Sequence, residues 1–321
     1  MTVSIFIPIY NVEKYIERCA RSLFEQTYSD IEYIFVNDCT PDKSIEVLES
    51  IVNEYPQRKE HIKIIKHEKN RGIAAVRNTA LDNCRTDFLI FVDSDDYIEK
   101  DAVEKLINKQ KEGDFDIVTG EALIHRKNST KILHKKEPDD KEELIKYYIR
   151  PVLNHTIWGR LIRKSLFKDN NIHASEGYNI GEDHLLITKL FYYAKAFASI
   201  DDIIYHYDCT NENSYMNQKN DNKKLLLKQY QNTFSFNELR KFFEDKSPIY
   251  LKEVYTYLPI YLKRTQNLCV KTKNRIIYEE LQSYKNQLNR SLLKKTYFKR
   301  KKVSLKNTIA KIYIIFTNIL H

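Results

Sequence analysis

The chain has 321 residues, 42% of them hydrophobic and 30% charged, enough to bury a sizeable core as one large domain or two small ones. Its net charge is +9, but the last 41 residues hold ten Lys/Arg and no acid, so residues 1–280 sum to −1. That balance excludes a nucleic-acid-binding body and confines the basic character to the tail.

Met1–Asn11 reads as a strand rather than a signal peptide, and no run of 18 apolar residues announces a spanning helix. Val3–Tyr10 is a buried strand, and Asn11 can cap a helix whose apolar positions run Val12, Tyr15, Ile16, Cys19, Ala20, Leu23 and Phe24. Ile31–Asn37 is the next strand, followed by the turn DCTPDKS and a helix through Ile45, Leu48, Ile51 and Val52. His61–His67 is the third strand. Gly72 opens a helix through Arg77 to about Asn83, and FLIFVD from Phe88 is the fourth strand. This order implies an α/β fold with a mostly parallel, twisted sheet and helices on both faces. Phe115–His125 is a longer strand segment, residues 126–140 a polar loop, and residues 141–150, 163–169 and 182–194 helices. Ile203–Asp208 is a further strand. Residues 211–224 read as a linker, and beyond them the chain is helical. The expected division is residues 1–120, 121–215, and a C-terminal helical region over 216–321. The cysteines, five and with no CxxC pair, read as free thiols in a reducing cytoplasm, not as a zinc site.

Ligands of open α/β sheets sit outside the carboxyl ends of the strands. Three such ends carry notable residues: Pro8 and Tyr10 on the first strand, Asp38 (with Asp42 nearby) on the second, and Asp93, Ser94, Asp95 and Asp96 on the fourth. In extended backbone Asp93 and Asp95 share a face. Two such carboxylates suit Mg²⁺ or Mn²⁺ completed by phosphate oxygens. A helix cap explains the same DSDD equally well, with Asp96 the residue best placed to cap. No GxG and no GK[ST] occurs, which excludes the dinucleotide and P-loop phosphate cradles.

VSIFIPIYNVEKYIERCARSLFEQTYSDIEYIFVNDCTPDKS, NRGIAAVRNTAL, FLIFVDSDD and GED, in that order and spacing, resemble the family 2 glycosyltransferases over roughly residues 2–214. The C-terminal third carries no such resemblance. The resemblance implies a GT-A fold and an enzyme of bacterial surface-polysaccharide type, of the hexosyl- or N-acetylhexosaminyltransferase kind. It implies that Pro8 and Tyr10 line the nucleobase and ribose pocket, that Asp38 accepts from the base, and that Arg77 reaches the nucleotide or donor sugar. Asn37 stands where the family usually has a second acid, and Cys39–Thr40–Pro41 where it has Gly-Ser-Thr. Asp93 and Asp95 become a DxD pair, with Asp93 and Ser94 toward the donor and Asp95 the direct ligand of Mn²⁺ or Mg²⁺. Asp183 becomes the base for the acceptor hydroxyl, with Glu182 beside it. One hydroxyl and one base imply a single displacement and inversion at the anomeric carbon.

Three further residues are open to two readings. Trp158 suits sugar stacking at the acceptor as well as a core. Arg160 suits an acceptor phosphate, and His206 suits a third metal ligand as well as a half-buried strand position. In the tail, Leu305, Ile309, Ile312, Phe316 and Ile319 recur at helical spacing beside a basic cluster. Such a helix fits an anionic membrane surface or packing on another subunit. The expectation is a cytoplasmic enzyme on the inner face of the cell membrane that moves a sugar from a nucleotide sugar, UDP-linked by preference, to a glycan or lipid-linked glycan. The alternatives are a sugar-phosphate nucleotidyltransferase and a non-catalytic sugar-nucleotide-binding scaffold.

Overall fold

The computed structural model describes residues 1–151, 155–211 and 222–299. Its first part alternates β1 (Val3–Ile9), α1 (Ile16–Phe24), β2 (Ile31–Asn37), α2 (Ser44–Glu54), β3 (Ile62–Lys66), α3 (Ile73–Asn83) and β4 (Phe88–Phe91). β1 pairs in parallel with both β2 and β4, and β2 with β3. Side chains alternate across a strand, and the apolar runs use both faces. Val3, Ile5, Ile7 and Ile9 enter one core with α1 and α2, while Phe6 enters another with α3. α1 meets the sheet through Ile16, Cys19, Ala20, Leu23 and Phe24, the spacing of one helical face.

The second part contains β5 (Tyr97–Ile98), α4 (Ala102–Gly113), β6 (Ile117–Arg126), β7 (Ser129–Leu133), α5 (Lys141–Ile149), β8 (Arg160–Arg163), α6 (Ser165–Lys168), α7 (Glu182–Tyr193) and β9 (Phe197–Asp208). One mixed sheet results, in the order β3-β2-β1-β4-β8-β6-β9-β5, with β7 on β6. The parallel part is the N-terminal one. β8 runs antiparallel to both β4 and β6, and β9 returns parallel to β6.

Two local expectations differ from the structure. The polar stretch 126–140 contains β7, an edge strand exposed along most of its length, so it carries no apolar alternation to read. The segment expected to be helical from Arg163 begins as β8, because Leu161 and Ile162 are sealed between β4 and β6, and helix persists for only the single turn of α6. Pairing partners override local propensity there.

Asp140 caps α5 by accepting from Glu143 N at 2.8 Å. α8 (Asn222–Glu244), α9 (Pro248–Thr272) and α10 (Arg275–Lys299) follow. Ser247 and Pro248 start α9 as a cap and first-turn proline. Phe236, Leu239, Phe243, Leu251, Val254 and Leu258 join the same core as α5 and α7. These helices therefore brace α5 and α7, the second of which carries Glu182 and Asp183. No described helix is long and apolar enough to cross a membrane. The expected linker lies largely, and the basic tail from residue 300 wholly, outside the described residues.

Candidate active site

β1, β2 and β4 end on one edge of the sheet, and the acids gather there. The strand stops at Phe91, and Asp93–Asp96 form a turn closed by Asp96 N to Asp93 O at 3.0 Å. The carboxylates are thus arranged by a turn rather than by strand alternation. Asp96 does not cap the next helix, contrary to the expectation. It is fully buried and accepts from Tyr205 Oη (2.7 Å) and Asp208 N (2.8 Å), which ties the turn to β9. Tyr205 Oη also accepts from Asp93 N at 3.1 Å. Arg18 on α1 donates to Asp95 O (2.9 Å) and pairs with Asp208 (2.6 Å), and Asn211 donates to Asp95 Oδ2 at 2.9 Å. Ser94 is buried.

Arg77 is the hub. Buried on α3, it meets Glu182 Oε1 and Asp183 Oδ1 at 2.6 Å each, and Asp93 Oδ1 at 4.0 Å. Burial opposes its charge, but Asp183 and Glu182 more than restore it. Desolvation pushes the Asp93 carboxyl up to about 7 against the pull of Arg77, with Asp95 adding repulsion. Its side chain keeps 30% exposure, so it meets solvent rather than lying in the core. Pro8, Ile73 and Phe91 line a narrow hollow beside it with Arg77. Burial likewise raises Asp95 and Glu182. One guanidinium therefore serves three carboxylates, and the site is short of positive charge. The second oxygen of Asp183 accepts from Ile157 N at 3.3 Å.

Asp38 is only 3% exposed. One oxygen accepts from His67 Nδ1 (2.7 Å) and Arg71 N (2.8 Å), the other from Gly72 N (2.7 Å). This clamp fixes the start of α3 and so the reach of Arg77. Gly72 has φ +83°, and a Cβ there would lie 2.4 Å from Asn179 Oδ1, so only glycine fits. Asp42 shapes the turn after β2, accepting from Glu13 N, Thr40 Oγ1 and Ser44. Pro8 is half-buried and Tyr10, at the end of β1, is 43% exposed and open to a ligand.

The expected acceptor residues are not surface groups. Trp158 is 4% exposed and stacks on Tyr205 with ring centres 4.3 Å apart. Arg160 is fully buried and donates to Thr156 O, Tyr148 Oη (2.7 Å) and Glu137 Oε1 (3.3 Å), so its guanidinium is not open to a phosphate. His206 spends both nitrogens, on His125 (2.9 Å) and Glu99 (2.7 Å), and stacks on Tyr97. That matches the strand-position reading rather than a metal ligand.

A divalent cation fits this donor set in a limited way. Among the described residues no group of three His, Cys, Asp or Glu forms a ligand cage. Mg²⁺ and Mn²⁺ are, however, commonly held by one or two carboxylates plus substrate phosphate, and the raised Asp93 and Asp95 are hard oxygen donors in need of countercharge.

Residues 4–170 match the profile described as glycosyl transferase family 2. The chain belongs to glycosyl transferase family 2. Membership makes it a glycosyltransferase. Its similarity extends to the uncharacterized glycosyltransferase EpsJ of Bacillus subtilis, 32% identical over 73% of this chain and 69% of that one. It is also similar to the poly(ribitol-phosphate) beta-N-acetylglucosaminyltransferase TarS of Staphylococcus aureus, 30% identical over 67% of this chain. The match spans only 37% of that TarS chain. In structure it resembles S. aureus TarS 1-349 in complex with UDP-GlcNAc, with a TM-score of 0.60 at 20% identity over 89% of this chain and 92% of that one. A mannosyltransferase from Pyrobaculum calidifontis, solved with GDP-Man and Mn²⁺, gives 0.54 at 12% identity over 94% and 88%. These neighbours show the GT-A-like fold.

Proposed function

We propose that this family 2 enzyme transfers a sugar from a nucleoside diphosphate sugar to a hydroxyl of a cell-surface glycan or lipid-linked glycan, with inversion. The observation that carries the reading is the convergence on Arg77: residues 93, 182 and 183 reach one guanidinium from two separate parts of the chain. Donor-side and acceptor-side acids then face one reacting carbon.

In this reading Tyr10 and Pro8 form the nucleoside side of the site and Asp93 and Asp95 the diphosphate side, while Asp38, expected to accept from the base, spends both oxygens within the protein and braces the site from beneath. A divalent cation held there would supply the charge neutralisation that makes the diphosphate a good leaving group. Asp183 accepts the proton of the attacking hydroxyl. The hydroxyl oxygen bonds to the anomeric carbon as the bond to the diphosphate breaks, and the electron pair departs with the diphosphate. Glu182, raised by burial and by Asp183, shares Arg77 and keeps the base oriented. Arg77 offsets the negative charge on both sides of the reacting carbon. UDP is the favoured nucleotide because TarS, a relative at 30% identity, was solved with UDP-GlcNAc, whereas the mannosyltransferase solved with GDP-Man shares 12%. Trp158 and Arg160 support the acceptor side from beneath rather than by contact.

The test is a panel of nucleotide sugars incubated with the protein and Mn²⁺, with release of nucleoside diphosphate followed. One donor is expected to be hydrolysed slowly, and Asp95→Ala or chelation should abolish the release. Release of pyrophosphate from a nucleoside triphosphate and a sugar phosphate would instead support the nucleotidyltransferase alternative.

A further inference from the structure

Lys135 is a buried amine that the reaction does not use. It lies in the connection between β7 and α5, only 3% exposed. Its Nζ donates to Thr156 Oγ1 at 2.7 Å and to Trp158 O at 2.8 Å, and sits 3.6 Å from the centre of the Trp158 ring. Gly159 completes the seat: φ is +71°, and a Cβ there would stand 3.1 Å from the amine. Burying an amine costs more than burying an aliphatic chain of the same length. Packing alone gives no reason for the nitrogen, whereas fixing a backbone segment does.

That segment, Thr156–Gly159, is held from below a second time by Arg160, which donates to Thr156 O and, at 3.4 Å, to Trp158 O. On its other side Ile157 N donates to Asp183 Oδ2. The Trp158 ring stacks on Tyr205, whose hydroxyl accepts from Asp93 N and donates to Asp96. The strap thus touches the acceptor-side acid through an amide and the donor-side turn through a stacked ring.

We infer that Lys135 is a positioning residue: by fixing the Thr156–Gly159 strap it aims the Ile157 N–H at Asp183 and sets the geometry of the base. The inference rests on the role of Asp183 as base.

The test compares Lys135→Met with wild type and Asp183→Asn as full chains, using the panel donor that wild type hydrolyses fastest, with Mn²⁺. Lys135→Met is expected to lower kcat at least tenfold while donor KM stays within about twofold, because the donor contacts lie elsewhere. Trp158 is the only tryptophan, so its emission intensity should change when the amine leaves its face. If Lys135→Met does not fold, Thr156→Val removes one anchor and should show the same selective loss of kcat, smaller in size; wild-type kinetics in it would overturn the inference. An inactive Asp183→Asn beside a Lys135→Met of wild-type kcat and donor KM overturns this inference alone. A fully active Asp183→Asn overturns both it and the assignment of the base.

Discussion

At the scale of residues, the site is an excess of carboxylate organised by one guanidinium. Removing that charge while leaving its partners buried is more damaging than removing the whole cluster. Arg77→Met is therefore expected to destabilise the fold by about 3–5 kcal/mol, read as a lower urea midpoint, and to abolish donor turnover. A variant as stable and active as wild type would deny the hub. Asp38, Arg77, Asp93 and Asp183 were singled out in the sequence because each stands in a short motif: NDC, VRN, DSD and GED. Their partners were not. His67, Arg18, Tyr205 and Asn211 lie 29 to 116 residues from the acids they hold, and no local pattern marks such pairings. Arg160 was misread, and Trp158 falls to the core one of its two readings, for the converse reason. An aromatic and an arginine before GED look like ligand contacts in one dimension, but their side chains point into a core that only the sheet pairing creates.

At the scale of elements, α7 carries both its acids and a buried imidazole. His184 is stacked on His155 with centres 4.2 Å apart. Burial drags His184 down to about 4, and His155 to about 2 with His184 adding repulsion. Both stay neutral in the fold, whereas in the unfolded chain each takes a proton near 6.5. The unfolded state then binds more protons, so this pair's contribution to stability is full above about pH 6.5 and declines as pH falls toward 4. A His184→Phe variant should lose less stability than wild type over that window, the difference reaching on the order of 3 kcal/mol by pH 4. Denaturant melts at pH 7, 5.5 and 4 check this, and parallel pH curves for the two proteins would refute it. α1, α2, α3 and α7 were readable as apolar stripes with glycine or turn residues at their starts. β7 and β8 were not, since one is polar on an open edge and the other too short to show a period.

At the scale of the molecule, the C-terminal helices share a core with α5 and α7, so they brace those helices rather than hang from them. Ten Lys and Arg follow Glu280, five of them within α10 and five in residues 300–321. With each near-surface Lys or Arg contributing about 1 kcal/mol on an anionic leaflet, removal of residues 300–321 should release the protein from phosphatidylserine vesicles in a flotation assay. It should leave donor hydrolysis in solution intact. Full-length protein that never floats with such vesicles would rule out the membrane role. The α/β alternation and the order of motifs made the fold class and the family legible. The way the second half of the sheet reverses direction was not, because it depends on which strand ends can pair once the first four are assembled.

The most direct test of the central claim separates donor binding from proton removal at Asp183. Binding of the nucleoside diphosphate with Mn²⁺ is measured by titration calorimetry, and release from the nucleotide sugar by steady-state assay, in wild type, Asp183→Asn and Asp95→Asn. The account predicts that Asp183→Asn binds within a few-fold of wild type but loses turnover by two to four orders of magnitude, roughly the range for removal of a general base, while Asp95→Asn loses both. Turnover at the wild-type rate in Asp183→Asn would contradict it.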